Sequence, residues 1–282
     1  MRYLNVRGSA VRVHETGDPE HPPILLLHGI GRSLEDWLPQ HDRLSERWRV
    51  ISVDLPGFGL SERLPEPISL ATLASGVRET LDVLGERRPL HVMGNSLGGA
   101  VSMQLLVSAP ERVATLTLVN SAGFGKEVAF FLRALAIPGL GKPLMRRMDA
   151  RVARRVERAL FADRVHATQE RVDFALRVAA RPDYAAVFLE TAQSMGGLRG
   201  IHGPWRQTLL SEVAKHPRPT LIVWGDRDLI LPAAHLAAAR TAFPDARSHL
   251  YPNTGHMPQI ERPDEFAELA ELFLTARSDS RT

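Results

Sequence analysis

Val92-Met93-Gly94-Asn95-Ser96-Leu97-Gly98-Gly99-Ala100 joins an apolar run over 89–93 to a helix-like stretch over 96–108, and a G-x-S-x-G pentad stands at the junction. A strand that reverses into a helix within one or two residues forces its turning residue into a strained conformation, and the flanking positions then have almost no room for side chains. Gly94, Gly98 and Gly99 meet that demand. Such a turn lifts the Ser96 hydroxyl clear of a sheet and sets it beside the amides of the first helical turn, which can hydrogen-bond a developing oxyanion. Ser96 is therefore the candidate nucleophile.

Outward from this turn the chain alternates strand and helix. Residues 3–6 and 10–15 alternate polar and apolar like an antiparallel hairpin turned at Arg7-Gly8-Ser9. Residues 24–27 are a continuous apolar run between Pro22-Pro23 and His28-Gly29, as expected of a parallel strand buried on both faces. Ser33 can cap a helix running from Leu34 toward Ser45. A strand over 49–53 and a helix over 70–84, closed by Gly85, lead back to the serine turn. Beyond it comes a strand over 114–119, and then the rhythm changes. From 124 to 211 no strand-like run occurs, only helical periodicity broken by glycine and proline. The sheet resumes at 219–224, followed by a helix over 233–242, a last strand over 247–251, a turn at Asn253-Thr254-Gly255-His256, a closing helix over 263–276 and a polar tail over 277–282. This order predicts an α/β fold: a doubly wound, mostly parallel eight-stranded sheet flanked by helices. Residues 1–123 and 212–282 form its core, and 124–211 form an inserted helical cap.

The bulk properties are those of a globular chain: 282 residues, 44% hydrophobic and 24% charged, with a net charge of +3. That length is ample for a sizeable buried core. Cysteine is absent, which rules out disulfides, thiol chemistry and cysteine-based metal sites. The first residues lack the continuous apolar stretch of a secretory signal and no later segment is apolar enough to span a bilayer, so a cytoplasmic protein without stable membrane insertion is expected. Arg146, Arg147, Arg151, Arg154, Arg155 and Arg158 recur at helical spacing and read as a solvated face, since no nucleic-acid motif or aromatic interleaving accompanies them.

With Leu27-His28-Gly29, Asp54-Leu55-Pro56-Gly57-Phe58-Gly59-Leu60-Ser61, the serine pentad, Gly225-x-x-Asp228 with Pro232, and Gly255-His256 followed by Glu261-Arg262-Pro263, nearly the whole chain resembles the α/β-hydrolase superfamily. Within it the chain is most similar to lid-bearing serine hydrolases: esterases, lipases and carbon–carbon bond hydrolases.

Physical chemistry assigns roles beside that resemblance. A serine hydroxyl needs a base with a pKa near neutrality, and His256, in the turn after the last strand, is placed to be one. A carboxylate must orient that imidazole, and the residues alone rate Asp226 and Asp228 nearly equal. The resemblance, which puts the acid three residues after the glycine, implies Asp228. Some relatives carry the acid after the earlier strand, where Asn120-Ser121-Ala122-Gly123 offers none. The resemblance also implies an oxyanion hole built from the amides of Leu97 and Ile30. His28 is expected to brace its loop through hydrogen bonds, and Asp54 and Ser61 to serve as scaffold. No cofactor and no metal is implied.

The expected reaction is hydrolysis, through an acyl-enzyme, of a small-molecule carboxylic ester with an apolar acyl or alcohol part. Ser96 sets the chain apart from relatives with an aspartate nucleophile, the haloalkane dehalogenases and epoxide hydrolases. Carbon–carbon hydrolases of aromatic ring-cleavage products are the alternative, although their oxyanion loop is usually richer in glycine and the tryptophan they often carry after the histidine is here Met257. A ligand-binding protein without turnover on the same fold is a third reading. Arg177, Arg181 and Arg199 in the cap are candidates to orient an acidic substrate.

Overall fold

The computed structural model describes residues 1–145 and 149–278. Arg146 and Arg147 of the expected arginine face and residues 279–282 of the expected tail lie outside the described residues.

Strands β1 (Arg2–Val6) and β2 (Ser9–Thr16) form the expected hairpin. β3 (Pro23–Leu27) is buried along its whole length, as its unbroken apolar run requires. After β3 the chain makes a short 3-10 turn over Leu34–Trp37 and then α1 (Leu38–Leu44). Ser33 occupies the expected cap position, but its side chain makes no capping bond; Leu34 N donates instead to Asp54 Oδ1 at 2.7 Å. β4 (Arg49–Val53) is equally buried, and α2 (Leu70–Leu84) ends on left-handed Gly85 at φ 85°. β5 (Leu90–Asn95), α3 (Leu97–Ser108) and β6 (Val113–Val119) complete the first half.

Between β6 and the next sheet strand lie α4 (Phe130–Leu135), α5 (Gly141–Met145), α6 (Ala150–Leu160), α7 (Gln169–Ala179) and α8 (Tyr184–Met195). They are followed by β7 (Gly196–Gly197), β8 (Gly200–Ile201) and α9 (Gly203–Val213). The expectation of helices alone in this stretch is thus corrected: β7 and β8 pair in a minimal antiparallel hairpin, too short to leave any period in the sequence. Arg151, Arg155 and Arg158 on α6 are exposed and Arg154 half-buried, a solvated face as expected. The sheet resumes with β9 (Thr220–Gly225), α10 (His235–Ala242) and β10 (Arg247–Tyr251), and the chain closes with α11 (Pro258–Glu261) and α12 (Pro263–Ser278).

The eight long strands form one sheet in the order β1-β2-β4-β3-β5-β6-β9-β10, antiparallel at β1/β2 and β2/β4 and parallel elsewhere. Successive side chains point to opposite faces, so Leu25 and Leu27 enter a core shared with α2 and α3, while Ile24 and Leu26 enter one shared with α1 and α12. A separate small cluster, including Leu135, Met145, Phe188, Leu189 and Ala192, joins α4, α5 and α8. No helix among the described residues is long and apolar enough to cross a membrane.

Candidate active site

Ser96 stands between β5 and α3 at φ 57°, ψ −117°, a conformation that costs a non-glycine residue about 1–3 kcal/mol. The strain is held by the backbone on both sides. Ser96 N donates to Val119 O at 3.0 Å, and Ser96 O accepts from Ala122 N at 3.0 Å and Gly99 N at 3.1 Å. A side chain at Gly98 would place its Cβ 2.2 Å from Leu27 O, so the close approach of α3 to β3 needs glycine there.

His256 and Asp228 come together from the loops after β10 and β9. His256 Nδ1 lies 2.7 Å from Asp228 Oδ2. A carboxylate accepts only, so Nδ1 carries the proton and Nε2 is left to accept one. The second oxygen, Asp228 Oδ1, takes the amides of Ile230 and Leu231 at 2.7 and 3.0 Å. Asp226 is exposed and accepts from Thr254 N at 3.3 Å, away from the imidazole. No hydrogen bond joins Ser96 Oγ to His256 Nε2 among the described residues; bonds of this kind tighten when substrate is bound.

Two asparagines that sequence reasoning passed over support this pair. Asn120 Nδ2 donates to Asp228 Oδ2 at 2.6 Å, from the strand end where some relatives carry the acid. Asn95 Nδ2 donates to His256 O at 3.0 Å and Val119 O at 3.2 Å, tying the histidine loop to the serine turn. Neither carries a local signal; only the sheet brings them to these partners.

The loop after β3 passes close by. His28, fully buried, donates from Nδ1 to Gly29 O at 2.8 Å and accepts at Nε2 from Leu55 N at 2.9 Å, and burial pushes its pKa down. It is the expected neutral brace. Asp54, also fully buried, accepts from Arg12 Nε at 2.6 Å, Leu34 N at 2.7 Å and Leu60 N at 2.8 Å, and Ser61 Oγ donates to Asp54 O at 2.8 Å. Among the described residues, the amides of Ile30 and Leu97 have no protein acceptor, and both residues border the same cavity as Ser96.

The walls of that cavity include Val128, Leu132, Met195, Ile201 and Ile230. Of the arginines expected to face an acidic substrate, none borders it. Arg181 Nη1 donates to Gly59 O at 2.8 Å, Arg177 stacks 4.7 Å above the Phe174 ring, and Arg199 is exposed. Arg133, which was not anticipated, borders the cavity instead. No cluster of three or more metal-ligating side chains occurs among the described residues.

The family profile for the alpha/beta hydrolase fold matches residues 22–263. The chain belongs to the α/β-hydrolase fold family. This α/β hydrolase is 31% identical over 274 residues to the dihydrolipoyllysine-residue acetyltransferase component of an acetoin cleaving system from Cupriavidus necator, covering 97% of this chain and 68% of that one. It is 29% identical over 286 residues to 2-hydroxymuconate semialdehyde hydrolase of Pseudomonas putida, covering 97% of this chain and 93% of that one. Among solved structures it is similar to a bacterial membrane phospholipase A, with a TM-score of 0.78 and 26% identity over 98% of this chain and 85% of that chain.

Proposed function

We propose that this α/β hydrolase cleaves carboxylic esters with an apolar acyl or alcohol part through an acyl-enzyme on Ser96, with residues 124–211 acting as the cap over the site. The observation that carries the proposal is the conjunction of the strained Ser96 turn, the His256–Asp228 hydrogen bond at 2.7 Å and a cavity bordered mostly by aliphatic side chains and glycine. Ser96 Oγ attacks the carbonyl carbon as His256 Nε2 takes its proton, and Asp228 stabilises the imidazolium. The oxyanion is held by the amides of Ile30 and Leu97, which have no acceptor among the described residues. Collapse expels the alcohol, protonated by His256. Water, deprotonated by the same nitrogen, then releases the acid.

Cleavage of a carbon–carbon bond beside a ketone is the second reading, favoured by the relative named as a 2-hydroxymuconate semialdehyde hydrolase. The mostly aliphatic walls favour an ester, whereas Arg133, which also borders the cavity, offers the carboxylate of a ring-fission acid a partner and keeps the second reading in the test. The test compares steady-state rates on acyl esters of graded length with the rate on a dienoic ring-fission product, alongside fluorophosphonate labelling, for the natural chain and Ser96→Ala. Ester turnover and labelling lost in Ser96→Ala support the proposal. Faster turnover of the dienoate selects the second reading, and a chain that neither labels nor hydrolyses is a ligand-binding protein.

A further inference from the structure

Helix α6 belongs to the inserted helices, yet it touches both loops on which Ser96 depends. Glu157, 1% exposed, is paired with Arg32 Nη1 and with Arg171 Nε, the latter at 3.2 Å. Both arginines also hold Asp36, each through Nη2 to Oδ1 at 2.7 Å. These four charges, two of each sign, with the carboxylates buried and the guanidinia half-buried, close a ring with Arg32 and Asp36 on the core side and Glu157 and Arg171 on the cap side. Removing one member of such a ring is costly, because a partly or fully buried charge of the opposite sign is left with fewer partners. The carboxylates hold the Arg32 guanidinium charged against the burial that opposes it, and the guanidinia hold Asp36 well below the usual carboxylate range.

Arg32 lies two residues beyond Ile30, and the cap packs on the residues between. At Gly31, φ 67°, a Cβ would stand 2.6 Å from Phe188 Cε2, and Ile30 packs against the cap cluster. One turn further along, the same segment reaches the histidine loop. His256 N donates to Leu160 O at 2.7 Å. Ala162 N and Asp163 N donate to Glu261 Oε2 at 2.8 and 3.3 Å, while Glu261 Oε1 takes Gly255 N at 2.7 Å.

The oxyanion loop leaves β3 and the histidine loop leaves β10, and β5, β6 and β9 lie between them in the sheet. Acyl transfer needs the oxyanion donors and the base fixed relative to one another within a fraction of an ångström. We propose that residues 157–163 of the cap are a positioning strut: Glu157 fixes the oxyanion loop through Arg32, and Leu160–Asp163 fix the loop that carries His256. The cap thereby sets the spacing of the catalytic groups as well as covering the cavity. This inference rests on Ser96 and His256 being nucleophile and base.

The test is Glu157→Gln in the full chain, with active serine counted by fluorophosphonate titration and kcat and KM measured on an activated ester. The strut predicts a kcat per titrated serine at least tenfold lower with KM within threefold. It also predicts non-additivity: Glu157→Gln combined with Glu261→Ala loses about as much as the worse single variant. An unchanged kcat per titrated serine beside a lowered Tm, or single losses that multiply in full, overturns it. If Glu157→Gln does not accumulate folded, Arg171→Lys is read in the same way, with a loss of at least threefold expected and an unchanged kcat again overturning the strut. A natural chain that neither labels nor hydrolyses overturns the catalytic reading together with the strut, whereas natural turnover left intact in the variants overturns the strut alone.

Discussion

Asp228 Oδ2 receives His256 Nδ1 at 2.7 Å and Asn120 Nδ2 at 2.6 Å, so the oxygen that orients the imidazole is itself held from the end of the neighbouring strand. Asp228→Asn removes the charge and can present an amide donor to Nδ1, which favours the wrong tautomer; kcat falls by about three to four orders of magnitude. Asp226→Asn changes an exposed side chain and leaves kcat within about threefold. Steady-state kinetics of the two variants separate the candidates, and a crippled Asp226→Asn would reverse the assignment.

Asn120→Ala leaves Asp228 charged but without one of its donors. A hydrogen bond to a charged group is worth about 1.5–3 kcal/mol, so kcat is expected to fall about tenfold or more with KM little changed. A variant indistinguishable from the natural chain would show that the amides of Ile230 and Leu231 hold the carboxylate unaided.

What was legible in the sequence was whatever local chemistry decides. α2 runs from Leu70 to Leu84 and stops at Gly85 because an apolar period and a left-handed glycine are both written in adjacent residues. Ser96 and the buried strands β3, β4 and β6 were legible for the same reason, as was the pairing of His256 with an aspartate after β9. The choice between Asp226 and Asp228 needed the resemblance, because both lie in one turn and only the fold shows which carboxylate faces inward. Asn95, Asn120 and the Glu157–Arg32 pair were illegible because their partners lie between 24 and 161 residues away. The β7–β8 hairpin was missed because two-residue strands carry no alternation.

Ser33 sits at the expected cap position, but its side chain makes no capping bond, and the first amide of the turn, Leu34 N, is held by Asp54 from the end of β4, a partner the local sequence does not show. Ser33→Ala should therefore change unfolding free energy by no more than about 0.5 kcal/mol. Asp54→Ala removes the partner of buried Arg12 and of two amides and should cost about 3–5 kcal/mol. Urea unfolding of both variants measures the contrast, and equal losses would restore Ser33 as the cap.

His41 gives the fold an acid limit. It is bonded to Thr16 Oγ1 at 2.7 Å and Ser52 Oγ at 2.6 Å and lies 4.4 Å from the His14 ring; burial, then the charge of His14, push its pKa from 6.5 to about 3. The unfolded chain takes up a proton below 6.5 that the folded chain refuses, so stability declines as pH falls from about 6.5 toward 3, by about 1.4 kcal/mol per unit. Burial lowers the His14 pKa as well, which adds in the same direction. Denaturant midpoints between pH 7 and 4.5 should drop less steeply in His41→Gln than in the natural chain, and parallel slopes would remove His41 from the account.

On the proposed ester reading, the cavity wall sets which acyl chains Ser96 reaches. Leu132, on α4, borders the cavity beside Val128 and Met195, and Leu132→Ala vacates the volume of about three methylenes there. Each methylene newly buried contributes about 0.8 kcal/mol, close to fourfold in kcat/KM. The optimum of a graded ester series should accordingly move toward longer chains by two or three carbons, while acetyl ester turnover changes little because the acetyl group is too short to fill the new space. Partial collapse of the wall reduces the gain per carbon but keeps its direction. An unaltered chain-length profile would mean that the acyl group lies elsewhere and that this wall faces the alcohol, a distinction that repeating the series with graded alcohols on a fixed acyl group makes directly.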